Sequence, residues 1–139
     1  MPESVTAWNP WAELARRTHL RLVWTERGPR GCLEFATGEL RVRRALPRHE
    51  SRCVLTHELV HDERGGVPRW LVPREERAVC HEAARRLIPL DDLANAVRWS
   101  PHLPEVAEDL GVDVPTLRAR LGGLTADERS RLPAGPSPA

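Results

Sequence analysis

Tyrosine and lysine are absent from the 139-residue chain, phenylalanine and methionine occur once each, and cysteine three times. Without tyrosine, no phenolic hydroxyl can stabilise a developing oxyanion. Without lysine, every basic side chain apart from histidine is arginine, which we read first as a compositional bias. The cysteines, Cys32, Cys53 and Cys80, are odd in number, scattered, and form no CxxC pair. That excludes a disulfide framework and a cysteine-based zinc knuckle, and leaves them to be read as buried thiols. Neither sign of charge dominates: the formal net charge is +1, so no overall basic field draws the chain to nucleic acid. No hydrophobic run approaches a membrane span and no signal-peptide pattern opens the sequence, so the expectation is a cytoplasmic protein without a membrane partner. The length suits one compact domain with room for a small terminal subdomain.

Periodicity divides the chain into a helix, a few strands, then helices. A short amphipathic helix is expected from Pro10 to Thr18, strands over Leu20 to Trp24 and Cys32 to Phe35, and a third over Glu39 to Leu46. In that third strand Leu40, Val42 and Arg44 share one side, and the charged opposite face suggests an exposed or edge strand. A long helix runs from Pro47 to Arg64 and ends at Gly65-Gly66, and a loop follows from Val67 to Pro73. Further helices are expected from Arg74 to Leu87, from Asp91 or Asp92 to Trp99, near Glu105 to Leu110, and from Val114 to Leu121, with a last turn from Asp127 to Leu132. The five tryptophans read mostly as core anchors. The fold class is α+β, with a small antiparallel sheet. The expected organisation is a main domain over residues 1–99, a helical subdomain over 100–132, and a disordered Pro/Ser tail over 133–139.

The richest chemistry lies in Thr56-His57-Glu58-Leu59-Val60-His61, an HExxH string. Residues four apart on a helix stand one above the other, so His57 and His61 share a face on which two imidazoles can hold a zinc ion. Glu58 then lies beside water on that metal and can take its proton. A catalytic zinc needs a third protein ligand, and the following helix should supply it. At about 100° per residue, Glu76, Val79, Cys80, Ala83 and Leu87 fall on one stripe. A carboxylate amid that apolar stripe would be desolvated and needs a partner, and a metal held by the histidine helix is one. Glu75 lies about a quarter-turn off the stripe, Glu82 near its opposite edge, and His81 points away.

Taken together, HELVH, a short loop, and a helix ending in Ala83-Ala84-Arg85-Arg86-Leu87-Ile88-Pro89 resemble the ImmA/IrrE family of zinc metallo-endopeptidases, in a short, actinobacterial-like form. The likeness covers roughly Glu39 to Leu121. The family's ligand glutamate stands thirteen residues before the closing proline, and counting back from Pro89 gives Glu76. Glu82 occupies the place of the family's aromatic, and Val79-Cys80 that of its Ala-Asn. The resemblance implies a fold built on an HExxH active-site helix and a second ligand helix, with zinc on His57, His61 and Glu76 and with Glu58 as general base. It also implies a protein substrate: a helix-turn-helix (XRE-like) transcriptional repressor whose cleavage relieves repression, in mobile elements or stress responses. The strand over Glu39 to Ala45, with Leu40, Val42 and Arg44, would align the substrate backbone by strand addition. Oxyanion stabilisation falls to His49, Arg52, His81, His102 or backbone amides, with no choice among them.

Residues Val106 to Leu121 resemble a helix-turn-helix, with Ala107, Gly111 and Leu117 at the places that a sharp interhelical turn demands. Arg118 and Arg120 would then touch phosphates. The alternative function is thus a DNA-binding or repressor-binding regulator with a non-catalytic zinc site. The near-neutral charge weighs against direct nucleic-acid binding.

Overall fold

The computed structural model describes residues 7–133, so the tail expected over 133–139 lies outside the described residues except for Pro133. The fold is α+β. Helix α1 (Pro10–Arg16) opens it, started by Asn9, whose side chain accepts hydrogen bonds from the Trp11 and Ala12 backbone N–H groups at 3.0 and 3.2 Å. Pro10 sits in the first turn, where its missing N–H leaves no bond unmade.

Three strands follow, β1 (Arg21–Thr25), β2 (Gly31–Glu34) and β3 (Glu39–Arg43). Their spatial order is β1-β3-β2. Strand β1 runs parallel to β3, with Leu22 beside Leu40, and β2 runs antiparallel to β3, with Leu33 beside Leu40. The sheet is therefore mixed, which corrects the all-antiparallel expectation. The chain reverses between successive strands, so β1 and β3 point the same way. They become neighbours because β2 folds back along the far side of β3.

That order also corrects the reading of β3 as an edge strand with Leu40, Val42 and Arg44 aligned for a substrate. Both edges of β3 are occupied. Leu40 and Val42 are fully buried against Leu55 and Leu59, and Arg44 lies beyond the strand's end, ion-paired with Glu26 at 2.9 Å. An alternating pattern reports one apolar and one charged face, and a central strand of a sheet covered on one side shows the same alternation. The charged face itself is as expected: Arg41 pairs with Glu39 and Glu34.

Helix α2 (Arg48–Arg64) is the hub. Its 17 residues span roughly 25 Å at the α-helical rise. Leu55 and Leu59 pack on the sheet, Val60 packs on the next long helix, and Cys53 joins the core of the C-terminal helices. Thr56 accepts a hydrogen bond from the Trp8 indole N–H at 2.9 Å. A 3₁₀ turn, Arg69–Leu71, leads into α3 (Val72–Leu87), where Val79 and Ala83 meet Val60.

Helices α4 (Leu90–Trp99), α5 (Leu103–Leu110), α6 (Val114–Gly122) and α7 (Ala126–Arg131) complete the chain. Leu87, Ile88, Leu93, Val106, Val112 and Leu117 belong to one apolar cluster, so residues on both sides of position 100 share a core. Gly111, at φ 68°, turns the chain between α5 and α6 in the left-handed region. Asp113 then caps α6 by accepting from the Thr116 backbone N–H at 2.9 Å.

The α5–α6 pair has the expected turn, but only one of its two candidate phosphate contacts is on the surface. Arg118 is exposed. Arg120 is buried, donating from Nε to the Ile88 carbonyl at 2.8 Å and from Nη2 to Glu128 at 3.2 Å. The tryptophans also depart from expectation. Trp8 packs against the core, whereas Trp11, Trp24, Trp70 and Trp99 are exposed, the first two stacked on each other with ring centroids 5.9 Å apart. Among the described residues no helix is long and apolar enough to cross a membrane.

Candidate metal centre

Helix α2 carries His57 and His61 one turn apart on the face turned to α3. Their ring centroids lie 4.8 Å apart with the planes at 72°. Glu76 comes from the second turn of α3 and bridges them. Its Oε1 lies 2.6 Å from His57 Nε2, and its Oε2 lies 2.9 Å from His61 Nε2. One ligand atom from each of the three side chains falls within 4.8 Å of the others, close enough to hold a metal ion.

The donor set fits a divalent cation of zinc's kind. In a tetrahedral zinc site with bonds near 2.0–2.1 Å, neighbouring ligand atoms stand roughly 3.3 Å apart. The spacings found here, 2.6 and 2.9 Å from Glu76 to the histidines and at most 4.8 Å overall, bracket that value. Burial holds the His57 imidazole below its usual basicity, more than the Glu76 carboxylate restores it, so the neutral form that binds metal is favoured. The other carboxylates of α3 are engaged elsewhere: Glu75 pairs with Arg64, and Glu82 with Arg86. Glu76 alone among them faces the histidines.

Glu76 is not the desolvated carboxylate that its helical stripe suggested. Its side chain is 48% exposed. The α2–α3 contact is sealed by Val79 and Ala83, and Glu76 lies beyond it towards the open start of α3. The buried carboxyl is Glu58, at 7% exposure. Burial, reinforced by the nearby Glu76 carboxylate, pushes Glu58 up to about 7.

A cavity of about 390 Å³ opens beside these residues, and His57, Glu58 and Glu76 line it. Its other walls come from α3, from α6 and from the start of β2. Gly31 is essential to this arrangement. A Cβ there would sit 2.3 Å from Val54 Cγ1 and 3.3 Å from Glu58 Oε1, so only glycine lets β2 approach α2 so closely. In the sequence, Gly31 stands in a Gly28-Pro29-Arg30-Gly31 run that reads merely as a turn.

Arg30 is a second site residue that sequence reasoning missed. It lines the cavity and donates from Nη2 to Asp113 at 3.1 Å, with Glu50 at 3.4 Å. Its Nε is buried without an acceptor among the described residues. None of His49, Arg52, His81 and His102 lines the cavity. Arg52 is spent on the Gly111 carbonyl, at 3.2 Å. Burial raises Asp113, but hydrogen bonds from Thr116 and the Arg30 guanidinium outweigh it and hold the carboxyl below its usual value. Cys80, one turn after Glu76, places its Sγ 3.8 Å from His57 Nδ1, and burial keeps it a thiol.

Comparisons with known families, curated proteins and solved structures return no match.

The site's chemistry therefore rests on its own geometry. Two imidazole nitrogens and one carboxylate lie within 4.8 Å of one another, and a second carboxyl, raised to about 7, shares a cavity with His57 and Glu76. That combination can bind a cation and move a proton beside it.

Proposed function

We propose that this chain is a zinc-dependent endopeptidase of the cytoplasm, acting on a protein substrate. The observation that carries this reading is the shared cavity: two residues of the His57, His61 and Glu76 cluster, His57 and Glu76, open onto the same space as the buried Glu58. His57, His61 and Glu76 hold the zinc. Two imidazoles with one carboxylate favour it over harder cations, which prefer oxygen ligands. When bound, zinc polarises the scissile carbonyl and acidifies water.

The chain's own residues do the rest. Glu58 accepts the proton of the attacking water at its carboxylate and returns it to the leaving amine. Its burial keeps bulk water from competing for that proton. Among the described residues strand β2, not β3, lies at an edge of the sheet without a further strand beside it and begins beside Glu58, so an extended substrate is held there by strand addition. The resemblance of HELVH and the Glu76 helix to ImmA/IrrE-type enzymes points to a helix-turn-helix (XRE-like) repressor as the substrate. The regulator that reads DNA through α6 is the weaker alternative, because Arg120 is withdrawn into the core.

Elemental analysis of wild type beside Glu76→Ala is the first test. About one zinc per wild-type chain, with much weaker retention in the variant, supports the site. A folded wild-type protein that takes up no added zinc would refute it. Glu58→Gln then separates chemistry from binding: the reading expects zinc retained and cleavage lost by at least about a hundredfold.

A further inference from the structure

The cavity extends well past the metal ligands. Its far wall is the first two turns of α6, the helix that the sequence offered as a nucleic-acid reader. Pro115 and Ala119 face it from α6, Ala83 from α3, and Val54 from α2. These side chains are small and apolar, and they leave an open space rather than a packed contact.

The exposed polar groups at this end are satisfied by one another; Arg30 Nε has no acceptor among the described residues but is buried and not open to the cavity. Asp113 accepts from the Thr116 N–H with Oδ1 and from Arg30 with Oδ2, at 2.9 and 3.1 Å. The wall therefore presents neither a free carboxylate for a basic side chain nor an unmatched cation for an acidic one. Glu58 and Glu76 at the near end further disfavour an acidic group. The position of α6 is firmly set. Besides the Arg30–Asp113 bridge, Arg52 donates to the Gly111 carbonyl at 3.2 Å, and the buried Arg120 ties α6 to the end of α3 through the Ile88 carbonyl at 2.8 Å. A preformed, fixed cavity with small apolar side chains on its walls and a few polar groups paired among themselves is the usual form of a specificity pocket.

We propose that α6 forms the side wall of a substrate pocket that accepts a medium-sized aliphatic side chain, of leucine or isoleucine type, from the residue flanking the scissile bond. This rests on the metal-site reading above and adds to it what the enzyme selects. The helix that resembles a DNA reader contributes to recognition from inside the cleft.

Two metal-directed probes test it without turnover: acetohydroxamate and isocaprohydroxamate, each titrated calorimetrically into the zinc-loaded full chain. The hydroxamate group is common to both, and the longer probe adds a branched alkyl arm. Each buried carbon contributes about fourfold, so isocaprohydroxamate is expected to bind at least roughly tenfold tighter than acetohydroxamate. Ala119→Leu, which fills the pocket, should bring the ratio of the two dissociation constants close to one. A probe of the same length ending in a carboxylate should lose the advantage in wild type, a result that does not depend on any variant folding. Equal affinity of the two alkyl probes for wild type would overturn the pocket while leaving the metal site standing. So would a ratio unaltered in a folded Ala119→Leu. Failure of zinc-loaded protein to bind either probe would overturn the reading of the metal site as an open, catalytic one, and the pocket with it.

Discussion

Glu58 offers the sharpest quantitative test, because its burial has a price that depends on pH. In the metal-free chain, burial and the Glu76 carboxylate raise its pKa from 4.5 to about 7. The folded state then holds this proton more tightly than the unfolded state does. The contribution to stability is full below about pH 4.5 and is lost as pH rises through about 7. A shift of that size corresponds to about 3 kcal/mol in total at about 1.4 kcal/mol per unit. Glu58→Gln keeps the shape and removes the titration. With zinc chelated, the variant should be the more stable form at high pH. Its advantage should widen by about 2 to 3 kcal/mol between roughly pH 5 and pH 8.5, or roughly 1 to 2 M in urea midpoint. His57 has the opposite sign: its lowered value contributes stability that is present at neutral pH and lost on acidification. That contribution occurs in both proteins and cancels in their difference. Urea unfolding across the pH range measures the gap directly. A gap that stays constant with pH, or narrows as pH rises, would refute the burial argument.

Gly31→Ala forces a methyl group against Val54 and towards Glu58, and should cost about 1 to 3 kcal/mol by denaturant unfolding while loosening β2 from α2. A loss below about 0.5 kcal/mol would mean that the close approach is not needed. Leu59→Ala removes a fully buried side chain between α2 and the sheet, with an expected loss of about 2 to 5 kcal/mol in the same assay. Arg120→Met strips the Ile88 carbonyl and Glu128 of their buried donor. It should destabilise the chain by roughly 1 to 3 kcal/mol, whereas a surface phosphate contact would leave thermal stability unaltered.

Local pattern settled a good deal of this protein. The spacing of His57 and His61 follows from helical repeat alone, and Glu76 emerged both from the stripe on its helix and from its distance to Pro89. The helix boundaries were marked by residues whose backbone preferences act within a turn or two: Asn9-Pro10, Gly65-Gly66 and Gly111. An HExxH string brings its two histidines together from sequence alone because both lie on one rigid element.

Neighbour relations between distant segments were beyond the reach of such patterns. Alternation in Glu39 to Arg43 described two faces of a strand and said nothing of who flanks it, so β3 read as an edge although it is the centre of a mixed sheet. Helical phase placed Glu76 among apolar residues, but exposure depends on where α3 leaves α2, and the buried carboxyl proved to be Glu58. Arg30 and Gly31 joined the cavity, and α6 became its wall, through contacts between residues far apart in the chain. The sequence by itself determined which chemical groups stand on each element, because that is a matter of local backbone geometry. Tertiary structure alone decided which elements meet, and hence which groups are desolvated, paired or left facing open space, because burial is a property of the packed whole.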